Sequence, residues 1–433
     1  MSLSAVERQG LFRHRPYVLF WAARGLSAFS TQMAAVATGW LVYQKTGSAY
    51  FLGFIGLAQF VPMVLLTLPV GHIADRADRR RIVVACQLVE SGTLAFLASG
   101  IVGGWLRLFH LFAAVVLLGS AQAFERPTMT SLLPSLVPLG ILQRAIALAS
   151  SANQSAYIIG PAMGGLLYAL HTAVPFAVGT VFMLTAALLI AAIGVRSAPP
   201  ARAPATLRGV LSGLSFIWYR PVLLGAVSLD LFAVLLGGAT ALMPIFARDI
   251  LGTGPWGLGL LRAAPAAGAL SMSFIMTRFP LRHAVGAKLF LAVTGFGVAS
   301  AVFAISRNMA LSVAALFFVG VADNVSVVIR TSLVQLATPD AVRGRVNAVH
   351  SLFIGTSNQL GEFESGVTAG LFGAVPAALL GGIATIAVAL MWARLFPALR
   401  RVETLAGPFD AASAFEAARD IGADEPGRRI GAA

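Results

Sequence analysis

The fold is decided around residues 69–83, where the chain reads PVGHIADRADRRRIV. Six of the seven residues from Asp75 to Arg81 are charged, although only 11% of the whole chain is charged. Long apolar runs lie on both sides of this stretch, at residues 49–70 and 82–101. Each run matches the about 20 helical residues that cross the hydrocarbon core of a bilayer. The charges therefore indicate a short polar loop between two membrane-spanning helices.

Similar apolar runs continue along all 433 residues, of which 58% are hydrophobic. A soluble domain of this size cannot bury so much apolar surface, so the sequence predicts an integral membrane protein. Because lipid offers the backbone no hydrogen-bond partner, and because the runs are continuous rather than alternating, we expect an all-α fold with twelve transmembrane helices. The runs lie at residues 17–43, 49–70, 82–101, 108–124, 145–170, 172–195, 222–247, 256–277, 286–305, 309–329, 346–372 and 375–397.

The net charge of +14 comes from 31 cations, of which 29 are arginine. They lie in short loops rather than on one soluble face, which argues against a nucleic-acid partner. With a cytoplasmic N-terminus, 25 fall on the cytoplasmic side, four fall outside, and two, Arg24 and Arg262, fall within spans. By the positive-inside rule, this asymmetry predicts a multi-pass inner-membrane protein with both termini in the cytoplasm.

The two halves of the chain share a residue pattern at a constant offset of 201 positions. The matches extend over about 45 residues and preserve helix phase, so the sequence predicts two six-helix lobes, residues 1–195 and 222–400, related by an axis along the membrane normal. The matched positions are Thr130–Leu132 with Thr331–Leu333, Pro138 with Pro339, Arg144 with Arg345, Ser150 with Ser351, Gly160 with Gly361, Gly165 with Gly366, and Ala173–Pro175 with Ala374–Pro376.

Two further segments are expected on the cytoplasmic side. Residues 196–221 form a linker whose prolines prevent a continuous helix. Within it, apolar residues at helical spacing predict a helix lying on an anionic membrane surface, with a plain linker as an equally open alternative. Residues 401–433 are predicted to be a flexible tail. The apolar positions of the linker are Leu207, Val210, Leu211, Leu214 and Trp218.

The charged loop carries a glycine, an aspartate and three arginines in a fixed order: Gly71, Asp75, Arg76, Arg79 and Arg80. This order resembles the loop signature of the major facilitator superfamily, except that Asp78 stands where the signature has its second glycine. We expect these residues to act as a latch, because Asp75 can pair with an arginine or a helix N-terminus of the other lobe. The arginines can hold carboxylates or lipid phosphates. The alternative is that the charges only enforce topology.

In the fifth helix, Gly160, Pro161, Gly164 and Gly165 resemble the end of the signature of drug:proton antiporters. Small residues let helices approach closely, and the proline frees a backbone carbonyl, so these residues predict a pliable seam between the lobes. Ordinary small-residue packing is the alternative. The resemblance implies export rather than uptake.

Charged residues inside the spans are candidates for proton coupling because they are costly in lipid. Arg24 and Asp230 lie on the equivalent helices 1 and 7, each about 10 Å from the cytoplasmic end. We expect them to pair, with protonation of Asp230 releasing Arg24; a static ion pair is the alternative. Antiporters of the resembling type often carry an arginine in helix 4, but residues 113–124 contain none. Gln122 is the only polar candidate there.

Other polar residues are predicted to face a central cavity. Glu362 and Glu364 are two positions apart and so point to different helix faces. Amides and aromatics around such a cavity would suit a bulky, partly apolar solute. The remaining candidates are Asp323, Asn324, Asn153, Gln154, Asn358 and Gln359.

The sequence contains no phosphate-binding loop and no hydrolase motif, so we expect a transporter driven by a gradient rather than an enzyme. Residues 242–249 and 343–348 resemble the enterobactin-exporter branch of the superfamily. The expected function is proton-coupled export of a drug-like or siderophore-like molecule by a monomer in lipid, with no cofactor and no metal. An uptake or lipid-moving carrier, or a non-transporting membrane receptor, is the alternative.

Overall fold

The computed structural model describes residues 11–194 and 207–405, and every regular element in these ranges is helical. We number the helices of 17 or more residues α1 to α12. They are α1 Arg15–Thr46, α2 Ala49–Arg76, α3 Arg79–Val102, α4 Leu108–Leu132, α5 Leu142–Leu170, α6 Val174–Ala191, α7 Pro221–Gly237, α8 Gly254–Arg278, α9 Val285–Ile305, α10 Met309–Ala337, α11 Asp340–Phe372 and α12 Ala374–Leu395.

Nine helical segments in the described ranges are long and apolar enough to cross a membrane. The prediction of a helical, multi-pass membrane protein is therefore confirmed. The three long helices outside this set are α1, α5 and α11, which carry polar residues toward the protein interior. Gln32 of α1 and Glu362 of α11, for example, line a cleft inside the molecule.

Two helices continue well past their predicted ends. α4 runs to Leu132 rather than residue 124, and α10 runs to Ala337 rather than residue 329. The predicted runs stop just before Glu125 and Arg330, but buried polar partners let each helix continue. Glu125, Arg126 and Arg330 consequently lie inside helices. The prediction of a fourth helix without arginine is wrong, and Arg126 and Arg330, which were counted among the 25 cytoplasmic cations, lie in α4 and α10.

The predicted seventh helix is interrupted. α7 ends at Gly237, and short helical turns follow at Ala239–Leu242, Met243–Ile245 and Phe246–Ile250. The break falls at the adjacent glycines 237 and 238, which weaken a helix. It also brings the backbone against α11, because a side chain at Gly238 would meet the carbonyl oxygen of Gly361 at 2.9 Å.

The helices of each half pack mainly on one another. In the first half, α1 contacts α5 and α6, α3 contacts α4 and α6, and α2 contacts α4. In the second half, α7 contacts α11 and α12, α8 contacts α10, and α9 contacts α10 and α12. The halves meet chiefly through α5 with α8 and α2 with α11. Under the repeat, α5 corresponds to α11 and α2 to α8, so the two seams are equivalent.

A shorter helix, Leu207–Trp218, precedes α7; we call it the linker helix. It packs on α11, where a side chain at Gly213 would meet the carbonyl oxygen of Arg345 at 2.8 Å. Leu211 and Trp218 are exposed, at 54% and 65% of their surface. Contact of this exposed side with a membrane stays a prediction. Residues 195–206 of the linker and 406–433 of the tail lie outside the described residues.

Candidate functional site

A cleft with an empty volume of about 850 Å³, part of it open to solvent, lies between the two halves. Its walls come from α1, α2 and α4 of the first half and from α8, α11 and the segment after α7 of the second. No aromatic residue is among the described residues that line it, so the expected aromatic lining is wrong. The polar lining residues are Thr31, Gln32, Thr38, Gln59, Gln122, Arg126, Arg262 and Glu362.

Three charged side chains reach this cleft, one from the first half and two from the second. Arg126 donates from Nη2 to Oε1 of Gln122 at 3.1 Å and is otherwise exposed to the cleft. Arg262 and Glu362 interact electrostatically without forming a direct ion pair. The buried Nε of Arg262 has no hydrogen-bond partner. The cleft therefore offers a polar solute hydrogen-bond donors that have no partner in the protein, and one carboxylate.

The halves are joined by polar contacts at one end of the cleft, which we call the Tyr43 end. Tyr43, near the end of α1, donates from its hydroxyl to Oδ2 of Asp249. The guanidinium of Arg248 lies 5.5 Å from the Tyr43 ring centroid and 3.7 Å from the Asp249 carboxylate. None of these three residues was predicted as a site residue, because tyrosine and loop charges near a helix end have many other uses.

The two seams close toward the same end through backbone contacts. In one seam, a side chain at Gly259 of α8 would meet the carbonyl oxygen of Pro161 at 2.7 Å. In the other, a side chain at Gly56 of α2 would meet the carbonyl oxygen of Gln359 at 2.6 Å. Glycine is needed at such positions because any Cβ would hold the helices apart.

The predicted helix 5 seam divides between two neighbours. Pro161 and Gly165 face α8 of the other half, where Gly165 contacts Pro255 and Gly259. Gly160 and Gly164 instead face α1, so these two glycines pack within their own half. Pro161 and Gly165 are therefore the residues of this motif that meet the opposite half.

Two of the predicted cavity amides contact the facing half rather than the cleft. Gln154 donates to the carbonyl oxygen of Ala266 in α8 at 3.5 Å, and Gln359 donates to Oε1 of Gln59 in α2 at 3.2 Å. Asn358 donates to the carbonyl oxygen of Ile354 on its own helix. Asn153 is not among the cleft-lining residues. Three glutamines nearer the cleft supply its amides instead.

The first half contains a buried polar cluster between α1, α3 and α4. Glu125 accepts hydrogen bonds on Oε1 from Ser27 at 2.7 Å and from Gln87 at 2.8 Å. Arg24 interacts electrostatically with Glu125, but its buried Nε has no hydrogen-bond partner. Glu90 is fully buried beside them, and neither of its oxygens has a partner.

The second half contains a buried ion pair at the corresponding place. Asp230 of α7 pairs with Arg330 of α10, and both side chains are buried. The Nε of Arg330 also donates to the carbonyl oxygen of Ser326 at 3.3 Å. The predicted pair of Arg24 with Asp230 is therefore wrong. Each residue faces the fourth helix of its own half, where the extended helix supplies a partner.

Asp323 lies beside this ion pair in a small cavity with an empty volume of about 250 Å³. Asp230 and Ser326 line the same cavity. Asn324, its neighbour in sequence, accepts a hydrogen bond from Ser273 of α8 at 3.3 Å. Asp323 and Asn324 therefore lie in the interior of the second half and do not line the large cleft. Glu364 likewise accepts from Thr368 on its own helix, at 2.7 Å.

Two of the predicted latch residues, Arg79 and Arg80, have side chains within the described part of the chain. Arg79 donates to the carbonyl oxygen of Ser131 at 2.9 Å, and Arg80 donates to that of Ile193, so both bind their own half. Asp78, which replaces the signature's glycine, accepts from the backbone N–H of Arg80 at 3.0 Å and caps α3. The side chains of Gly71, Asp75 and Arg76 lie outside the described residues.

The sequence matches the family of transmembrane secretion effectors over residues 8–415. The chain belongs to this family and is therefore a transporter of the major facilitator type, not an enzyme. It is 27% identical to the multidrug efflux pump Tap of Mycolicibacterium fortuitum, over 85% of this chain and 95% of that protein. It is 26% identical to the enterobactin exporter EntS of Citrobacter koseri, over 90% and 93%.

Solved structures share the fold at low sequence identity. A bacterial homologue of the lysosomal transporter Spinster, inward-facing and occupied, superposes with a TM-score of 0.68 at 14% identity, covering 90% of this chain and 97% of that one. A bacterial homologue of the iron transporter ferroportin, also inward-facing, gives 0.68 at 17% identity, covering 91% and 100%.

Proposed function

We propose that the protein is a secondary exporter that moves a small solute out of a bacterial cell by alternating access. In this proposal the twelve long helices cross the inner membrane as two six-helix lobes, α1–α6 and α7–α12, in a lipid-embedded monomer. The arrangement is supported by the packing, because most helix contacts stay within a half and the halves share two equivalent seams.

The observation that carries the proposal is the cleft, which both halves line and which contains charged groups with free donors. Arg126 enters from the first half, and Arg262 and Glu362 enter from the second. A solute bound between them would contact both lobes. Rocking of the lobes would then change the access of the solute from one side of the membrane to the other.

The Tyr43 end is closed in this structure, so the cleft would be loaded from the other side. If both termini are cytoplasmic, the open side faces the cytoplasm, as export requires. Release would need Tyr43 to separate from Asp249 and the glycine seams to part. The latch residues Asp75, Arg76, Arg79 and Arg80 would stabilise one of the two arrangements.

The solute class follows from the cleft and from the relatives. Multidrug efflux and enterobactin export, named for the two relatives above, both concern small organic molecules. A cleft with two guanidinium groups, one carboxylate and several amides favours a solute with several hydrogen-bond acceptors attached to an apolar frame. We propose the proton gradient as the driving force.

Transport into everted membrane vesicles tests this function, with enterobactin and ethidium as probes. We expect a proton gradient to drive uptake of at least one probe, and Arg262→Gln and Glu362→Gln to lower that uptake about tenfold or more. The matched control is Glu364→Gln, on the same helix but bonded to Thr368, which should transport normally. Uptake in right-side-out vesicles would instead identify an importer. The exporter proposal fails if a gradient moves neither probe.

A further inference from the structure

Glu90 is the most isolated acid in the part of the first half that the structure describes. It lies about 16 Å along α3, close to the middle of this 24-residue helix. Its side chain is fully buried, and both carboxylate oxygens lack a hydrogen-bond partner. An ionised carboxylate without any donor is very costly in such surroundings, so the group must bind something that removes its charge.

The groups around Glu90 are mostly acceptors. Glu125 of α4 is 4% exposed and interacts electrostatically with it. Gln87, one turn earlier on α3, donates to Glu125, while its own buried Oε1 has no partner. Two carboxylates in one buried site cannot both stay ionised at low cost. The site therefore contains buried hydrogen-bond acceptors that have no donor, and an added proton would supply one.

The charged and titratable groups near this site come from three helices. Arg126 of α4 interacts electrostatically with Glu90, and Arg24 of α1 does so with Glu125. Cys86 lies on α3 itself, near both carboxylates. α6, which also packs on α3, has no titratable residue in its sequence. The two guanidinium groups oppose the binding of any cation, a metal ion or a proton, whereas burial without a hydrogen-bond donor opposes the ionised carboxylate of Glu90.

We propose that Glu90 is a proton-binding site inside the first half, separate from the cleft, and that it holds the proton as a neutral carboxylic acid. The proton sits on one of its two carboxylate oxygens, which changes that oxygen from an acceptor into an O–H donor. No bond other than this O–H bond forms or breaks. Protonation removes the cost of a buried charge that no hydrogen bond supports.

α4 places this site next to the cleft. Glu125 and Arg126 are consecutive, so their side chains leave the helix about 100° apart. Glu125 points into the first half, and Arg126 points into the cleft. Movement of Arg126 would open a route for the proton. This part of the inference rests on the proposed export function, in which proton binding here would change how strongly Arg126 is held away from the solute.

Infrared difference spectroscopy tests the site without any solute. The full-length protein is placed in lipid nanodiscs, and the carbonyl stretch of protonated carboxyl groups is followed while the pH is varied. We expect one component of this signal, equal to one carboxyl per chain, to be lost in Glu90→Gln. Glu364→Gln is the control and should keep it. A full signal in Glu90→Gln would overturn the proposal.

A second variant and a change of salt complete the infrared test. Glu90→Asp preserves the carboxyl group, so it should keep the infrared component at a shifted frequency. An unshifted component would contradict the assignment to Glu90, even if Glu90→Gln fails to fold. Sodium chloride is compared with choline chloride at constant pH. Loss of the component with sodium alone would show that the site binds a metal cation, and would overturn the proton assignment.

The same variants then connect the site to transport. In everted vesicles, Glu90→Gln should lower pH-gradient-driven uptake of the probe about tenfold or more, while exchange of probe for probe continues. Unchanged gradient-driven uptake would separate the proton site from coupling. If the wild-type protein moves no probe, the exporter proposal fails, whereas the infrared result still decides whether the proton site exists.

Discussion

The two halves carry their buried charges at corresponding places but neutralise them in different ways. In the second half, Asp230 of the first helix pairs directly with Arg330 of the fourth. In the first half the signs are reversed, because Arg24 lies on the first helix and Glu125 on the fourth. There, Glu125 takes hydrogen bonds from Ser27 and Gln87 instead of a direct ion pair.

The repeat shows where the difference arises. At an offset of 201, Glu125 corresponds to Ser326 and Ser27 corresponds to Ser228. Ser27 donates to a carboxylate, whereas Ser228 accepts from Trp392 at 2.9 Å. Asp230 is thus neutralised by a direct ion pair, whereas Glu125 is held by neutral donors and lies near a guanidinium group that does not pair with it directly.

The largest expected effect is at the complete ion pair. Arg330→Met leaves Asp230 buried without its cation, and loss of one partner of a buried pair costs about 3–5 kcal/mol. We expect the free energy of unfolding in detergent to fall by this amount. The double variant Asp230→Leu with Arg330→Met should recover most of the loss, because no charge then remains unpaired. A loss below 1 kcal/mol would contradict a fixed pair.

A smaller effect is expected at the incomplete pair of the first half. Arg24→Met removes an electrostatic partner of Glu125 but leaves its two hydrogen bonds. We expect the free energy of unfolding to fall by about 1–2 kcal/mol under the same conditions. If Arg24→Met destabilises the protein more than Arg330→Met does, the contrast between the halves is wrong.

The smallest effect is expected at a single donor. Ser27→Ala removes one hydrogen bond to Glu125 and should cost about 1 kcal/mol. Its matched control is Ser30→Ala on the same helix, whose hydroxyl donates to the carbonyl oxygen of Gly179 at 3.0 Å. Thermal unfolding should show a larger loss for Ser27→Ala than for Ser30→Ala, because a hydrogen bond to a carboxylate is stronger than one to a backbone carbonyl. A larger loss for Ser30→Ala would contradict this role of Ser27.

The class of fold could be predicted well from the sequence because few backbone structures can cross a lipid bilayer. Apolar runs, the charged loop and the offset repeat depend on local composition, and they led to a helical, multi-pass transporter. The site was predicted less well, because a charged residue at the end of an apolar run reads as a loop residue. Glu125, Arg126 and Arg330 were missed for this reason, although each continues its helix.

Contacts between helices could not be predicted from spacing alone. Asp230 was assigned to Arg24 from equivalent helices and similar depth, but depth does not say which neighbour a side chain faces. Glu362 and Arg262 both line the cleft, but only Glu362 was predicted as a cavity residue, and Arg262 was noted only as a buried charge. The partner of a buried charge depends on helix rotation, which a single sequence does not contain.

The glycine seams have a consequence for how firmly the closed end holds. Gly53 and Gly366 meet backbone to backbone, so a side chain added at either position would push the two halves apart. Phe54 packs on Phe363 beside them, with ring centroids 5.9 Å apart. The hydrogen bond from Tyr43 to Asp249 adds to these contacts, so its loss should shorten the lifetime of the closed arrangement at this end.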